Sequence, residues 1–317
     1  MEIMAAMVIF TIVLAAVFST FLFQQQSYTN QSRVAEMQQN LRLGIEYLAR
    51  DIRMAGYGIP AAVTLPTSNP TGVILPSGTT TIRALFPVDN TARPDSVYIL
   101  YLYDIDANQP ATRLNAAMGS TATSISVDNV YGFDNGTLIL VKSTTAADLF
   151  QLTGPGSGNT LPHDAAGYNA SGAHATWPTG GYPVIADNSV KNVAKARFIR
   201  YYIDNTTDPS HPTLMVDRMT GQPPQPVADD IEDMQFQYGL DTTGTPDGIV
   251  DTWTDNPANT TQIRQVRIML LARSRLPEKG WKETRPALGN RTAGTTIDGY
   301  RRRIMDMVVD VRNSGVQ

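Results

Sequence analysis

From residue 1 to residue 55 the chain contains no proline and a single glycine, Gly44. These two residue types end or weaken helices most readily, so their scarcity predicts one continuous helix on the order of 80 Å long at about 1.5 Å per residue. Only one charge, Glu2, interrupts the apolar run from Met1 to Phe23, and three glutamines (Gln24, Gln25 and Gln26) close it. Roughly 20 apolar residues suffice to cross the hydrocarbon core of a bilayer, so this first half is long enough to do so. The remainder of the chain reads as a soluble, β-rich domain hung on the helix.

The second half of the helix has a different pattern. Val34, Met37, Leu41, Ile45, Leu48 and Ile52 recur at spacings of three or four, which places them on one face, and Leu43 and Tyr47 are expected to widen the stripe. The opposite side carries Arg33, Glu36, Gln38, Gln39, Arg42, Glu46, Arg50 and Arg53. Such a helix packs one face on a sheet and turns the other to solvent or to neighbouring subunits. Gly56 and Gly58 supply a stop, and Pro60 prevents continuation.

A signal peptide fits the apolar run poorly. No Lys or Arg precedes Arg33, the run is long, and the helical pattern continues past it. A plain membrane anchor explains the length but not Glu2, whose carboxylate costs a few kcal/mol in lipid unless it is paired or sits at the interface. The segment Glu-Ile-Met-Ala-Ala-Met-Val-Ile-Phe, residues 2–10, resembles the start of a mature type IV pilin, in which a glutamate stands inside an apolar helix. That resemblance implies that Glu2 pairs with the N-terminal amine of a neighbouring subunit in a filament, where a buried charge is tolerated because it meets its opposite. The family's glycine cleavage site and the Phe-Thr-Leu-like residues ahead of the glutamate do not occur here. The expectation is therefore a chain truncated at its N-terminus, in which the sequence does not decide leader cleavage or N-methylation.

Residues 48–58, Leu-Ala-Arg-Asp-Ile-Arg-Met-Ala-Gly-Tyr-Gly, are similar to the end of this helix in PilW-type minor pilins. So are residues 201–204, 226–241, 266–274 and the ending Tyr300-Arg301-Arg302-Arg303 with residues 309–313. The resemblance covers roughly residues 1–58 and 196–313. It implies an α+β fold, with the long helix packed on a mainly antiparallel β-sheet domain. The expected organisation is an N-terminal pilin helix over 1–58 (1–26 transmembrane or filament core, 27–58 amphipathic), a β-rich insert of its own specificity over 59–195, and a PilW-like β domain over 196–317.

The strand pattern agrees with that class. Residues 96–103 form a strong β-branched and aromatic strand, with further strands at 81–86, 124–127, 137–141, 196–203, 213–218, 234–240, 262–274 and 302–311. Residues 153–183, rich in Gly, Pro, Asn, Thr and Ala, lack periodicity and read as a surface excursion. Pro223, Pro224 and Pro226 are expected to break the chain before a short helical turn over 227–233, with Asp229 and Asp230 as charges at its N-terminal end.

Composition removes several function classes. Cysteine is absent, so there is neither a disulfide framework nor a thiolate metal site. A net charge of −4 gives no basic field for general nucleic-acid binding. No Gly-x-Ser-x-Gly elbow, phosphate-binding loop or dinucleotide fingerprint occurs. His163, His174 and His211 lack ligand spacing. The chain therefore reads as a non-enzyme. One loop, residues 241–251, sets Asp241, Thr243, Asp247 and Asp251 around two glycines, oxygen ligands that suit a hard cation such as calcium; a hairpin turn accounts for the same residues. Arg301, Arg302 and Arg303, beside Arg291, read either as a basic patch for an acidic partner or as a solvated strand end.

The resemblance implies a structural and assembly subunit of a type IV pilus. Its expected partners are other pilins and minor pilins through their N-terminal helices, and the pilus assembly platform. It would lie in the inner membrane before assembly and in a surface filament afterwards, priming the filament or sitting at its tip. Two alternatives stand beside it: a J-type pseudopilin of a type II secretion system, and an adhesive tip module with 59–195 as the binding insert.

Overall fold

The computed structural model describes residues 2–59, 63–64, 81–82, 84–103, 112–119, 123–143, 147–164, 181–185 and 191–312. The uninterrupted start forms one helix, α1 (Glu2–Met54). Short strands follow: β1 (Val63–Thr64), β2 (Thr81–Ile82), β3 (Leu85–Val88), β4 (Ser96–Leu102), β5 (Ser124–Ser126), β6 (Leu138–Lys142), β7 (Ala147–Gln151) and β8 (Thr160–Pro162). The distal part carries β9 (Val193–Asp204), β10 (Thr213–Asp217), β11 (Gln225–Ala228), β12 (Ile231–Leu240), β13 (Thr252–Thr254), β14 (Ile263–Arg273), β15 (Glu283–Thr284), β16 (Ile297–Asp298) and β17 (Arg302–Asp310). Every strand pairing among the described residues is antiparallel except β1 with β7. This is the expected α+β arrangement.

Two sheets share the helix. A nine-stranded sheet runs β11-β10-β9-β6-β7-β1-β2, with β4 also paired to β9 and β3 to β4, and a four-stranded sheet runs β13-β12-β14-β17. Their inner faces meet the apolar stripe of α1: Met37, Leu41, Ile45, Leu48 and Ile52 are buried together with Val97, Ile99, Tyr201, Phe236 and Leu270. Leu43 and Tyr47 do not widen this stripe. They stay exposed, and Tyr47 instead lies under the Arg50 guanidinium, 4.8 Å from its ring centroid. The close fit is made at Gly44, where a Cβ would stand 3.0 Å from Leu270 Cδ1 and 3.1 Å from Leu214 Cδ2. At the top, Gly56 and Gly58 take φ of 78° and 71°, the left-handed conformation that ends a helix cheaply at glycine.

Sequence and structure part at three places. Residues 227–233 are not a helical turn. β11 and β12 occupy them, and the chain passes between the two sheets at Asp229 and Asp230, the latter at φ 57°. Pro226 is accommodated because β11 is an edge strand, where a missing N–H costs no ladder bond. Asp230 is consequently a buried corner residue and not a helix charge. The described part of 153–183 is not all surface either. β8 pairs with β5, and Leu161, His163 and Tyr182 are buried. β7 gives no alternating signal because all five of its residues are buried, Asp148 by accepting from the Tyr182 hydroxyl at 2.6 Å. The sequence boundary at 195/196 falls inside β9, which pairs with β4 and β6 from one side of that boundary and β10 from the other.

Candidate assembly surface and acidic loop

The described residues give the lower half of α1 no cover. Ile3, Phe10 and Phe18 are 77%, 66% and 62% exposed, and apolar side chains point in every direction around the axis. Its few hydroxyls are satisfied internally: Thr11 donates to Met7 O at 2.8 Å, Ser19 to Ala16 O at 2.8 Å and Thr20 to Ala16 O at 2.9 Å. The segment therefore offers no unmet hydroxyl to lipid or to a packed helix. By length and composition α1 is able to cross a membrane. Glu2 stands in its first turn, exposed, where the helix dipole favours a carboxylate, and has no ion-pair partner among the described residues.

The upper half is fastened to the domain by a buried carboxylate. Asp51 lies within the apolar stripe and accepts from the Tyr201 hydroxyl at 2.6 Å and the Tyr101 hydroxyl at 3.1 Å. Burial, followed by the charge of Asp51, raises the Tyr201 phenol well above its ordinary range, so it remains a donor. Arg50 reaches the same carboxylate at 3.3 Å from outside. Asp51 is inside the helix motif singled out in the sequence, but its role there was missed. The available signal was an acid one residue from Ile52, on the buried side of an otherwise apolar face.

Near the middle of the helix, Asn30 donates to Glu278 at 3.3 Å, and Glu278 also holds Arg301. Hydrogen bonding from Arg301 keeps the Glu278 carboxyl below its usual value. Arg302 is clamped between Glu232 and Asp298, and Arg291 reaches Asp233 at 3.0 Å. Of the arginine cluster, these three are spent on structural pairs, which leaves Arg303 as its one member with no carboxylate partner among the described residues, and no basic patch of the size the sequence suggested. His211 pairs with Asp230 at 2.9 Å. His163 is buried against Phe150, ring centroids 4.5 Å apart. His174 lies outside the described residues.

The acidic loop is brought together as a turn. Asp241, buried, accepts from Thr243 Oγ1 at 2.8 Å, from the Gly248 N–H at 2.9 Å and from Arg264 Nε at 3.2 Å. Burial raises its carboxyl, but those donors outweigh burial and leave it below the ordinary value. Asp251 accepts from the Thr242 N–H at 2.7 Å, and Asp247 from the Ile249 N–H at 2.9 Å. Among the described residues no three His, Asp or Glu side chains converge in a way that could hold a metal ion. Both Asp241 oxygens are already occupied, one by a guanidinium whose charge opposes a cation. In this arrangement the four residues do not fit calcium.

Residues 200–313 match the family model of the type IV pilus-assembly protein W. The PilW resemblance is thereby borne out for the distal segment. A type IV-like pilin from Thermus thermophilus is similar over 87% of this chain and 97% of its own, at 12% identity and a TM-score of 0.38. At that score the likeness carries no argument, and the fold rests on the helix and sheets described above. No curated protein matches the sequence.

Proposed function

We propose that this chain, with its PilW-type distal segment carried on a long apolar helix, is a pilin-like subunit of a type IV pilus that joins the filament through residues 2–26. The observation that carries the reading is the continuity of α1. One unbroken helix passes from a half packed on two sheets to a half whose large apolar side chains have no intramolecular partner among the described residues. Each such side chain gains roughly 1.5–3 kcal/mol on burial, so the lower half is stable only in lipid or among other helices. Transfer from lipid to a helix bundle leaves apolar burial nearly unchanged, and pairing of Glu2 with a neighbour's amine then selects the register.

The tip or priming position is the finer part of this proposal. Immunogold labelling of sheared filaments, with antibody against residues 59–317, tests it. Label confined to one end supports the tip position, and label along the length replaces it with a filament-building role. Protein retained in the membrane, with every filament unlabelled, overturns the pilus reading in favour of a secretion pseudopilin. Glu2→Ala is expected to insert in the membrane normally and to enter filaments several-fold less; normal incorporation would remove Glu2 from register selection.

A further inference from the structure

Among the described residues, one edge of β9 is paired at both ends and unpaired between them. Asn192 presents its carbonyl to Lys142 of β6, whereas Lys195 presents its carbonyl to Tyr103 at the end of β4, so alternate residues face opposite edges. β4 pairs with residues 196–201 along one edge. β6 pairs with residues 193–195, and β10 with residues 200–204, along the other. Residues 196–199 thus have no strand beside them on the β6 and β10 side among the described residues. The gap is a groove of ≈ 450 Å³, walled by residues 135–138 and 218–222.

Both walls are fixed from beneath. The buried side chain of Gln151 donates to Gly136 O at 2.9 Å and to Thr220 O at 2.8 Å, tying one wall to the other. Met219 inserts its side chain into the core at φ 51°, a left-handed conformation costly for a non-glycine residue, with its N–H donating to Asp217 at 2.8 Å. That turn leaves Arg218 exposed at the rim. The floor is apolar, with Leu138 and Ala196 of one core cluster and Ile199 of the other meeting at it.

The groove holds two arginines that stand outside the ion pairs of the domain. Arg264, Arg267, Arg285, Arg291, Arg301 and Arg302 all have carboxylate partners. Arg197 and Arg218, both lining the groove, form no ion pair at contact distance among the described residues, though the Asp51 carboxylate acts on Arg197 from further away. Arg197 rests on the Tyr103 ring, 4.6 Å from its centroid, and lies 3.4 Å from the Tyr101 hydroxyl; Arg218 donates to Gln225 at 3.2 Å. Around them stand the side-chain amides of Asn135 and Gln222 and the hydroxyls of Thr137 and Thr220.

We propose that this groove binds an acidic saccharide. Arg197 and Arg218 take its carboxylate, the amides and hydroxyls take its ring hydroxyls, and the apolar floor takes a C–H face. Guanidinium forks match carboxylates, and the volume suits a ligand of one or two sugar rings. A polyphosphate backbone would ask for a longer row of cations than two arginines in a chain of net charge −4. This assignment is independent of the assembly reading.

The test is calorimetric titration of the full chain in detergent micelles with oligogalacturonate and with its methyl-esterified counterpart. Binding at least ten-fold tighter to the acid is expected. Arg197→Gln and Arg218→Gln should each weaken it ten-fold or more, and Arg267→Gln should leave it unchanged. Melting temperatures establish that the variants are folded, and Gln222→Ala, at an exposed rim position, should lose about three-fold even where an arginine variant unfolds. Silence toward oligogalacturonate, equal binding of acid and ester, or unaltered affinity in folded arginine variants would overturn the proposal. So would polyphosphate competing as well as the saccharide, which would make the groove a general anion site.

Discussion

The two halves of α1 are built from similar apolar residues and have opposite surroundings. Phe10 and Leu14 are 66% and 56% exposed, while Leu41 and Leu48 are fully buried about nine helical turns further on. The rest of the chain decides the difference. β4, β11, β14 and β17 form a wall for the upper half, and the described residues provide no wall for the lower one. The upper half is correspondingly apolar on one side only, whereas the lower half is apolar all round, the pattern of a helix whose cover comes from outside. One helix thus has two surroundings: the domain's own core for its upper half and, on the proposed reading, neighbouring helices or lipid for its lower half.

That contrast is open to attack by substitution. Leu48→Ala should cost about 2–5 kcal/mol of domain stability, since the cavity it leaves is enclosed by both sheets. Leu14→Ala should change it by less than about 0.5 kcal/mol. Denaturant titration of the full chain in detergent measures both; equal losses would erase the distinction between the halves.

Asp51→Ala should come next, because it leaves two buried phenols without an acceptor at about 1–3 kcal/mol each. Tyr201→Phe removes only one donor and should cost about 1 kcal/mol. If the two variants melt alike, Asp51 is not the shared acceptor.

A smaller effect should appear in the pH dependence. Asp95 accepts from the Asn90 and Phe236 N–H groups, and burial raises its carboxyl from 3.8 to about 7. The folded state therefore holds this proton more tightly than the unfolded chain does. Its contribution is complete below about pH 4 and is lost as pH rises towards 7. Asp95→Asn should flatten the fall in stability across that window, as followed by thermal melts at successive pH values. An unchanged slope would assign the proton elsewhere, with Asp148, raised to about 6 by burial, as the next group to replace. Smallest of all, Glu2→Ala should leave domain stability within about 0.5 kcal/mol of the parent, whatever it does to filament entry.

Helix periodicity made α1 and its buried face legible from residue 34 to residue 52, and β-branched and aromatic runs made β4, β9, β12, β14 and β17 legible to within a few residues. Shorter elements escaped for physical reasons. β7 and β8 are too short or too fully buried to alternate, and β11 was hidden by prolines that only an edge strand tolerates. Site chemistry was less accessible still. Asp241 and Arg264 are 23 positions apart, and Asp51 and Tyr201 150 apart, so their pairing depends on sheet order that local patterns do not carry. The gap along β9 is likewise a property of three registers at once.

The end of α1 is sewn to β4 in a particular geometry. The Gly56 N–H donates to Leu100 O and the Leu102 N–H to Tyr57 O, both at 2.9 Å, beside the two phenols held by Asp51. These bonds lie side by side across one joint. Tension drawn along the helix, as when a filament is pulled against an anchored domain, would load them in shear and together, so the joint should resist as a unit and yield in a single step.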